Sequence, residues 1–407
     1  MKAIKALTNV TIIDGTGKEP VPNGVVVINE QGEIHSWGEM DEIDIPSDAE
    51  IRDYQGKTLM PGIVDTHVHF CFEPCADPFS VLTKESDART GLKAASYALK
   101  TLLSGVTTVR DMGGKNYVDL DLRDSIHEGK HLGPRMFASG KILTMTGGHG
   151  WAIGEEIDGE SEARKGARKQ LKKGADLLKI MATGGVMTEG VEPGSPQLTK
   201  EEIKAAVEEA HKGGKKTATH AQGIRGIKNA IEAGIDSVEH GIFLDNDIIE
   251  TMVEQEVYLV PTLSAPYWIS EKGREAGIPE HAVKKSDAII EDHVSNFKKA
   301  YEAGVNIALG TDAGTPFNEH GKNSFELELM VKHGMDPLEA IKTATYMGAE
   351  LLGISDKVGQ IAPGLYADLL IIDGDPVADI EDIEKIHSIY KMGREIKPEE
   401  LTIAESV

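Results

Sequence analysis

Two hydrophobic rhythms divide the chain. From about residue 7 to residue 53, apolar and polar positions alternate and turns come often. Residues 8–13, 24–28 and 33–37 read as strands, with Asp14-Gly15-Thr16-Gly17 and Asn29-Glu30-Gln31-Gly32 as the turns between them. This period of two, broken by Gly, Asn and Asp, predicts a small antiparallel sheet. From about residue 58 to residue 353, short apolar runs instead alternate with long helical stretches. The runs are 63–67, 106–111, 135–139, 177–182, 217–220, 237–240, 258–261 and 306–311. Such alternation predicts βα units on a parallel sheet, and eight units predict a closed (β/α)8 TIM barrel. Residues 201–212 have amphipathic spacing behind Thr199, a good N-cap. Asp336-Pro337 opens a second helix, with Pro at the first helical position.

After residue 353 short strands return, at 367–373 and 384–391. The expected architecture is therefore α/β. A TIM barrel covers residues 58–353, and a small β-sandwich domain is built from both termini, residues 1–57 and 354–407. The segment 264–295 breaks the βα rhythm and carries Trp268, Arg274, His281 and His293. An insertion of that length on the catalytic side reads as a lid, a specificity element or a subunit contact.

Composition narrows the classes. The 407 residues are 40% hydrophobic and carry a formal net charge of −24. That field repels phosphate backbones and anionic lipid, which argues against nucleic-acid and membrane partners and for a small-molecule substrate. No window is long and apolar enough to span a bilayer, and the first residues lack a signal-peptide pattern. Cys71 and Cys75 are the only cysteines. They read as buried free thiols rather than zinc ligands, and a reducing cytoplasm is the expected location.

The candidate chemistry lies at the C-terminal ends of the expected barrel strands, where active sites of that architecture sit. The first run ends in His67-Val68-His69, two imidazoles on one face of a strand. The fifth and sixth end in His220 and His240, and the eighth in Asp312. Each alone reads as a hydrogen-bonded or turn residue. Together they read as a metal site. Lys179 lies inside the apolar fourth run, where an ammonium is expensive. Burial lowers a lysine pKa, the precondition for carbamate formation with carbon dioxide. The competing reading is a buried lysine paired with a carboxylate.

His67-x-His69, Lys179, His220, His240 and Asp312, in this order on eight βα units, resemble the amidohydrolase superfamily. The borders Leu59-Met-Pro-Gly-Ile-Val-Asp-Thr-His67 and Gly364-Leu-Tyr-Ala-Asp-Leu-Leu-Ile371 match as well. The motifs Thr107-Thr-Val-Arg-Asp-Met112, Thr146-Gly-Gly-His149-Gly and Met181-Ala-Thr-Gly-Gly185 are similar to the prolidase and arginine-carboxypeptidase branch, also called imidazolonepropionase-like. That resemblance implies two divalent metal ions, zinc first, with manganese or cobalt as substitutes. It implies His67, His69 and Asp312 on the more buried ion, His220 and His240 on the more exposed one, and carbamylated Lys179 bridging them. It further implies a bridging hydroxide as nucleophile and Asp312 as the proton carrier.

Three substrate contacts are expected: His149 toward the carbonyl or oxyanion, Arg225 toward a substrate carboxylate, and Tyr267 lining the pocket. The implied reaction is hydrolysis of a dipeptide or N-acyl amino acid, Xaa-Pro first and C-terminal Arg or Lys next, in a homo-oligomer. A xenobiotic amide, carbamate or phosphotriester is the alternative on the same site. An inactive barrel scaffold is the non-enzyme alternative.

Overall fold

The structure is a computed structural model and describes residues 4–396. Seventeen strands occur among them. The first five are β1 (Lys5–Ile12), β2 (Val21–Ile28), β3 (Ile34–Glu39), β4 (Glu50–Asp53) and β5 (Thr58–Pro61). The middle of the chain adds β6 (Ile63–Val68), β7 (Val106–Asp111), β8 (Arg135–Ala138), β9 (Ile142–Thr144), β10 (Gly154–Glu156), β11 (Leu177–Met181), β12 (Lys216–Ala221), β13 (Ser237–His240) and β14 (Tyr258–Val260). The last three are β15 (Leu369–Ile372), β16 (Ile386–Lys391) and β17 (Arg394–Ile396).

The two ends of the chain share one sheet, ordered β17-β16-β15-β5-β1-β2-β3. The two ends pair as expected, through one hydrogen-bonded sheet that forks at β1. The first half of β1 pairs with β4 and its second half with β5, both parallel. The period of two sorts the side chains: Val26 and Ile28 join one apolar cluster, Val25 and Val27 another. β17 was not expected, and β16 begins two residues late because a short helical turn, Ile380–Glu384, precedes it. The tail of the expected C-terminal segment, residues 397–407, lies outside the described residues.

β5 connects this sheet to the catalytic half. It pairs antiparallel with β15, then passes through Gly62 directly into β6. A Cβ on Gly62 would lie 2.2 Å from Thr107 Oγ1, so only glycine lets the chain cross there.

The catalytic half is laid out in parallel ladders, β6-β7-β8 and β9-β11-β12-β13-β14, with β10 beside β9. β6, β7 and β11 are buried along their whole length, as strands covered on both faces must be. Asp176 N–H donates to Ala138 O at 2.9 Å, linking the start of β11 to the end of β8. The expected run at 306–311 is not a regular strand. It makes one parallel bridge, Ile307 to Leu259, and Ala313 just beyond it bridges Val68. The reason is diverted donors: Leu309 N–H bonds Thr343 O at 3.0 Å, and Thr311 N–H bonds the Asp65 carboxylate at 3.2 Å.

The two helices expected from spacing form as Lys200–Lys212 and Pro337–Thr343, capped by Thr199 and Asp336. The inserted segment folds into helices Ser264–Lys272 and Glu280–Glu302.

Candidate active site

His67 and His69 leave β6 on one face, and Asp312 comes to meet them. Asp312 Oδ1 lies 3.4 Å from His67 Nε2 and 3.5 Å from His69 Nε2. One donor atom from each of the three falls within a 4.8 Å group, the spacing of a shared cation. The other ring nitrogens are held by the protein. His67 Nδ1 meets Glu239 Oε2 at 2.7 Å, and His69 Nδ1 meets Gly113 O at 3.1 Å. Those contacts fix the tautomers and leave both Nε2 lone pairs facing Asp312. Burial first, then the nearby Lys179 charge, pushes both imidazoles far down, His69 to about 3. The His67–Glu239 contact is thus a hydrogen bond from a neutral ring, and neutral imidazole is the form that binds metal.

His220 and His240 stand opposite, with ring centroids 4.5 Å apart. His240 Nδ1 is tied to Thr262 Oγ1 at 2.7 Å, which in turn donates to Pro261 O. His220 Nε2 is tied to Gly184 O at 3.3 Å, so its Nδ1 is the free donor atom. His240, Thr262 and Asp312 all have left-handed backbone, φ 70°, 52° and 57°, at the ends of their segments. Such non-glycine conformations persist where the surroundings enforce them, and they cluster at functional sites.

Lys179 is 2% exposed among these rings. Burial pushes its amine down to about 8, against the pull of the Glu239 and Asp312 carboxylates. Burial also pushes Asp312 up to about 7, with Lys179 opposing. Burial thus favours the neutral form of both groups, and each opposes the other's shift.

His149 follows β9 and is buried, its ring 4.4 Å from that of His220. Its Nδ1 meets Thr188 Oγ1 at 2.7 Å, and its backbone N–H donates to Gln197 Oε1 at 3.0 Å. A Cβ on Gly185 would lie 2.5 Å from His149 Nε2, so the Gly184-Gly185 pair makes room for this ring.

All seven residues border one cavity. The other two expected contacts do not reach it. Arg225 is exposed on the first turn of helix Ile224–Glu232. The loop after β12 turns into that helix before its side chain can face inward. Tyr267 packs against Trp268 and Phe325, with ring centroids 5.2 and 5.1 Å away. Its neighbours Ala265, Pro266 and Ile269 take the cavity-facing side of the helix instead. Cys71 is buried and Cys75 half-buried, both free.

Sequence reasoning missed the residues behind the rings. Glu239 is fully buried and accepts from Arg110 Nη2 at 2.9 Å and Ser237 Oγ at 2.6 Å while holding His67. Its signal was legible: a carboxylate inside the buried run Ser237-Val238-Glu239-His240. Asp65 had the same signal within β6. It accepts from His67 N–H, Thr311 and Asn323. Thr262 and Thr188 carried no local mark.

This geometry belongs to a known class. A profile of the Amidohydrolase family matches residues 58–396, and the chain belongs to that family. It is a hydrolase acting on C–N amide bonds. Ochratoxinase of Aspergillus niger is 31% identical over 424 aligned positions, covering 95% of this chain and 85% of that protein. A solved Xaa-Pro dipeptidase with methionine bound in its active site superposes with a TM-score of 0.90 at 35% identity, over 97% of this chain and 100% of that one. A prolidase complexed with N-methylphosphonate-L-proline gives 0.89 at 28% identity, over 97% and 100%.

Proposed function

We propose that the protein is a binuclear-metal amidohydrolase that cleaves the peptide or amide bond of a dipeptide or N-acyl amino acid, Xaa-Pro dipeptides first. One observation carries the reading: His67, His69, Lys179, His220, His240 and Asp312, drawn from five separate segments and all buried, border a single cavity. Nitrogen and carboxylate donors with outer partners already in place suit zinc, manganese or cobalt. His67, His69 and Asp312 would hold one ion, His220 and His240 the other, with Lys179 carrying the bridging carbamate. The depressed amine of Lys179 supports that modification, since only the neutral amine adds carbon dioxide. When bound, the ions polarise the scissile carbonyl and lower the pKa of water.

The chain's own residues do the rest. Asp312 takes the proton of the attacking water on its carboxylate and passes it to the leaving nitrogen. With Thr188 Oγ1, 2.7 Å from His149 Nδ1, serving as the donor, Nε2 would carry the ring proton and would donate to the carbonyl oxygen as negative charge develops there. One water is consumed: the C–N bond breaks, the acyl carbon gains an oxygen, and the amine leaves with the proton.

In this reading the parallel ladders and the bridges at 306–313 close into a (β/α)8 barrel over residues 58–353, with 1–57 and 354–407 as the small β domain. A cytoplasmic homo-oligomer belongs to the same reading. A second reading, hydrolysis of a non-peptide amide on the same site, is favoured by the likeness to ochratoxinase.

The decisive experiment pairs metal analysis with a substrate panel of Xaa-Pro dipeptides, other dipeptides, N-acyl amino acids, carbamates and aryl phosphotriesters. Close to two ions per chain and fastest turnover of the amide substrates are expected. Lys179→Ala should lose at least one ion and turnover together; a variant that kept both would overturn the bridging role.

A further inference from the structure

Resting on the amide-hydrolase reading above, we infer that the cavity is built for an amide whose side groups on both sides of the scissile bond are apolar and uncharged, each seated on its own wall.

Beyond the histidine, lysine and aspartate cluster, ten of the apolar lining residues come from two separate apolar clusters, with Met112, Ala265 and Pro266 beside them. Phe72, Phe79, Ile142, Ile153 and Met181 form the first, on the segments that follow β6 and surround β9 and β11. Val186, Met187, Ile242, Ile269 and Ile289 form the second, on the loops after β11 and β13 and on the two inserted helices. Neither cluster includes a residue of the other. The reacting groups border the same space as both walls, so a substrate held there extends one arm to each.

Charge is absent from those walls. Among the described residues Asp312 is the only carboxylate that borders the cavity, and no guanidinium does. Apart from the cluster and His149, the polar bordering side chains are Gln222, His293 and Thr315. Gln222 Oε1 is buried without a hydrogen-bond partner, which makes it a neutral acceptor for a substrate N–H. Lys285, on the second inserted helix, is bound to Thr188 O and Val191 O. A charged arm would thus lose its water with nothing to replace it, whereas an apolar arm gains from burial.

The test uses the metal-loaded enzyme and a matched set: Leu-Phe against Leu-Arg, Leu-Glu, Arg-Phe and Glu-Phe. The terminal charges are common to every member and cancel. Leu-Phe should exceed each of the others in kcat/KM by roughly tenfold or more. Any charged member within threefold of it, or better, overturns the inference. Phe79→Asp and Met187→Asp place one carboxylate on the half-buried edge of each wall. One should raise the Arg-Phe rate relative to Leu-Phe, the other the Leu-Arg rate; a shift at the same position from both would overturn the two-wall assignment. Calorimetric binding of free Leu and Phe against Arg and Glu decides the matter separately. If no amide were turned over, the amide reading would fail, yet a tenfold preference for Leu and Phe would still uphold the apolar walls, and equal or reversed binding would still overturn them.

Discussion

Glu239 shows how much a single buried side chain controls. Its two oxygens meet His67, Arg110 and Ser237, so one carboxylate fixes a ring, neutralises a guanidinium and accepts a hydroxyl. Glu239→Gln keeps the shape but cannot accept from Arg110 and His67 equally well. Metal affinity, read by chelator competition, should fall about 10- to 100-fold, the usual effect of an outer partner. Glu326 gives a pH prediction. It is fully buried and accepts from Leu263 N–H at 2.6 Å and Ser264 N–H at 2.8 Å, beside the Thr262 that holds His240. Burial pushes its carboxyl up to about 8. Folding therefore takes up a proton wherever the unfolded glutamate has already lost it. The stabilisation is complete below about pH 4 and is lost as pH rises through about 8. Glu326→Gln should flatten the decline in urea midpoint between about pH 5 and pH 8. An unchanged profile would remove Glu326 as its source.

At the scale of elements, the inserted helices anchor a catalytic loop. His281 Nε2 meets Met187 O at 3.2 Å, and Lys285 donates to Thr188 O at 2.8 Å and to Val191 O. These bonds hold the loop whose Thr188 orients His149. Lys285→Ala should raise amide hydrogen exchange in residues 187–192 and lower kcat, with exchange in β6 and β11 unchanged; equal exchange in that loop would refute the anchoring role. Helix Lys200–Lys212 carries a complete capping box between Thr199 and Glu202. Thr199→Ala should cost about 1 kcal/mol in chemical denaturation, with activity retained. Elements whose signal is local were legible beforehand: this helix, the Asp336-capped helix and seven of the eight apolar runs. The eighth was misread as a regular strand because Leu309 and Thr311 give their N–H groups to Thr343 and Asp65, both remote in sequence.

At the scale of the whole molecule, the site depends on the seam between the terminal sheet and the parallel ladders. Arg135 at the start of β8 reaches Asp368 at 2.6 Å, and Asp368, just before β15, is 2% exposed on its side chain. The same carboxylate accepts from Met392 N–H at 2.7 Å, while Asp368 O accepts from Gly62 N–H at 2.8 Å. Arg135→Met would strand that carboxylate in the interior. A loss of about 3–5 kcal/mol in unfolding free energy is expected, and the weakened join at Gly62 should lower metal retention, since β6 starts one residue later. A loss under about 1 kcal/mol, the size of an exposed pair, would show the seam to be held elsewhere.

The sequence by itself determined most of the parallel strands and the two capped helices, and it marked His67, His69, His149, Lys179, His220, His240 and Asp312 on the cavity. Period, caps and buried polar residues act within a few positions, so the order of residues is enough to read them. Only the tertiary structure decided which marked residues meet. It brought Asp312 to within 3.5 Å of His69, left Arg225 in solvent, turned Tyr267 toward Phe325, and forked the terminal sheet at β1. Those outcomes depend on packing and hydrogen bonds between segments far apart in the chain, where no local period or spacing carries the information.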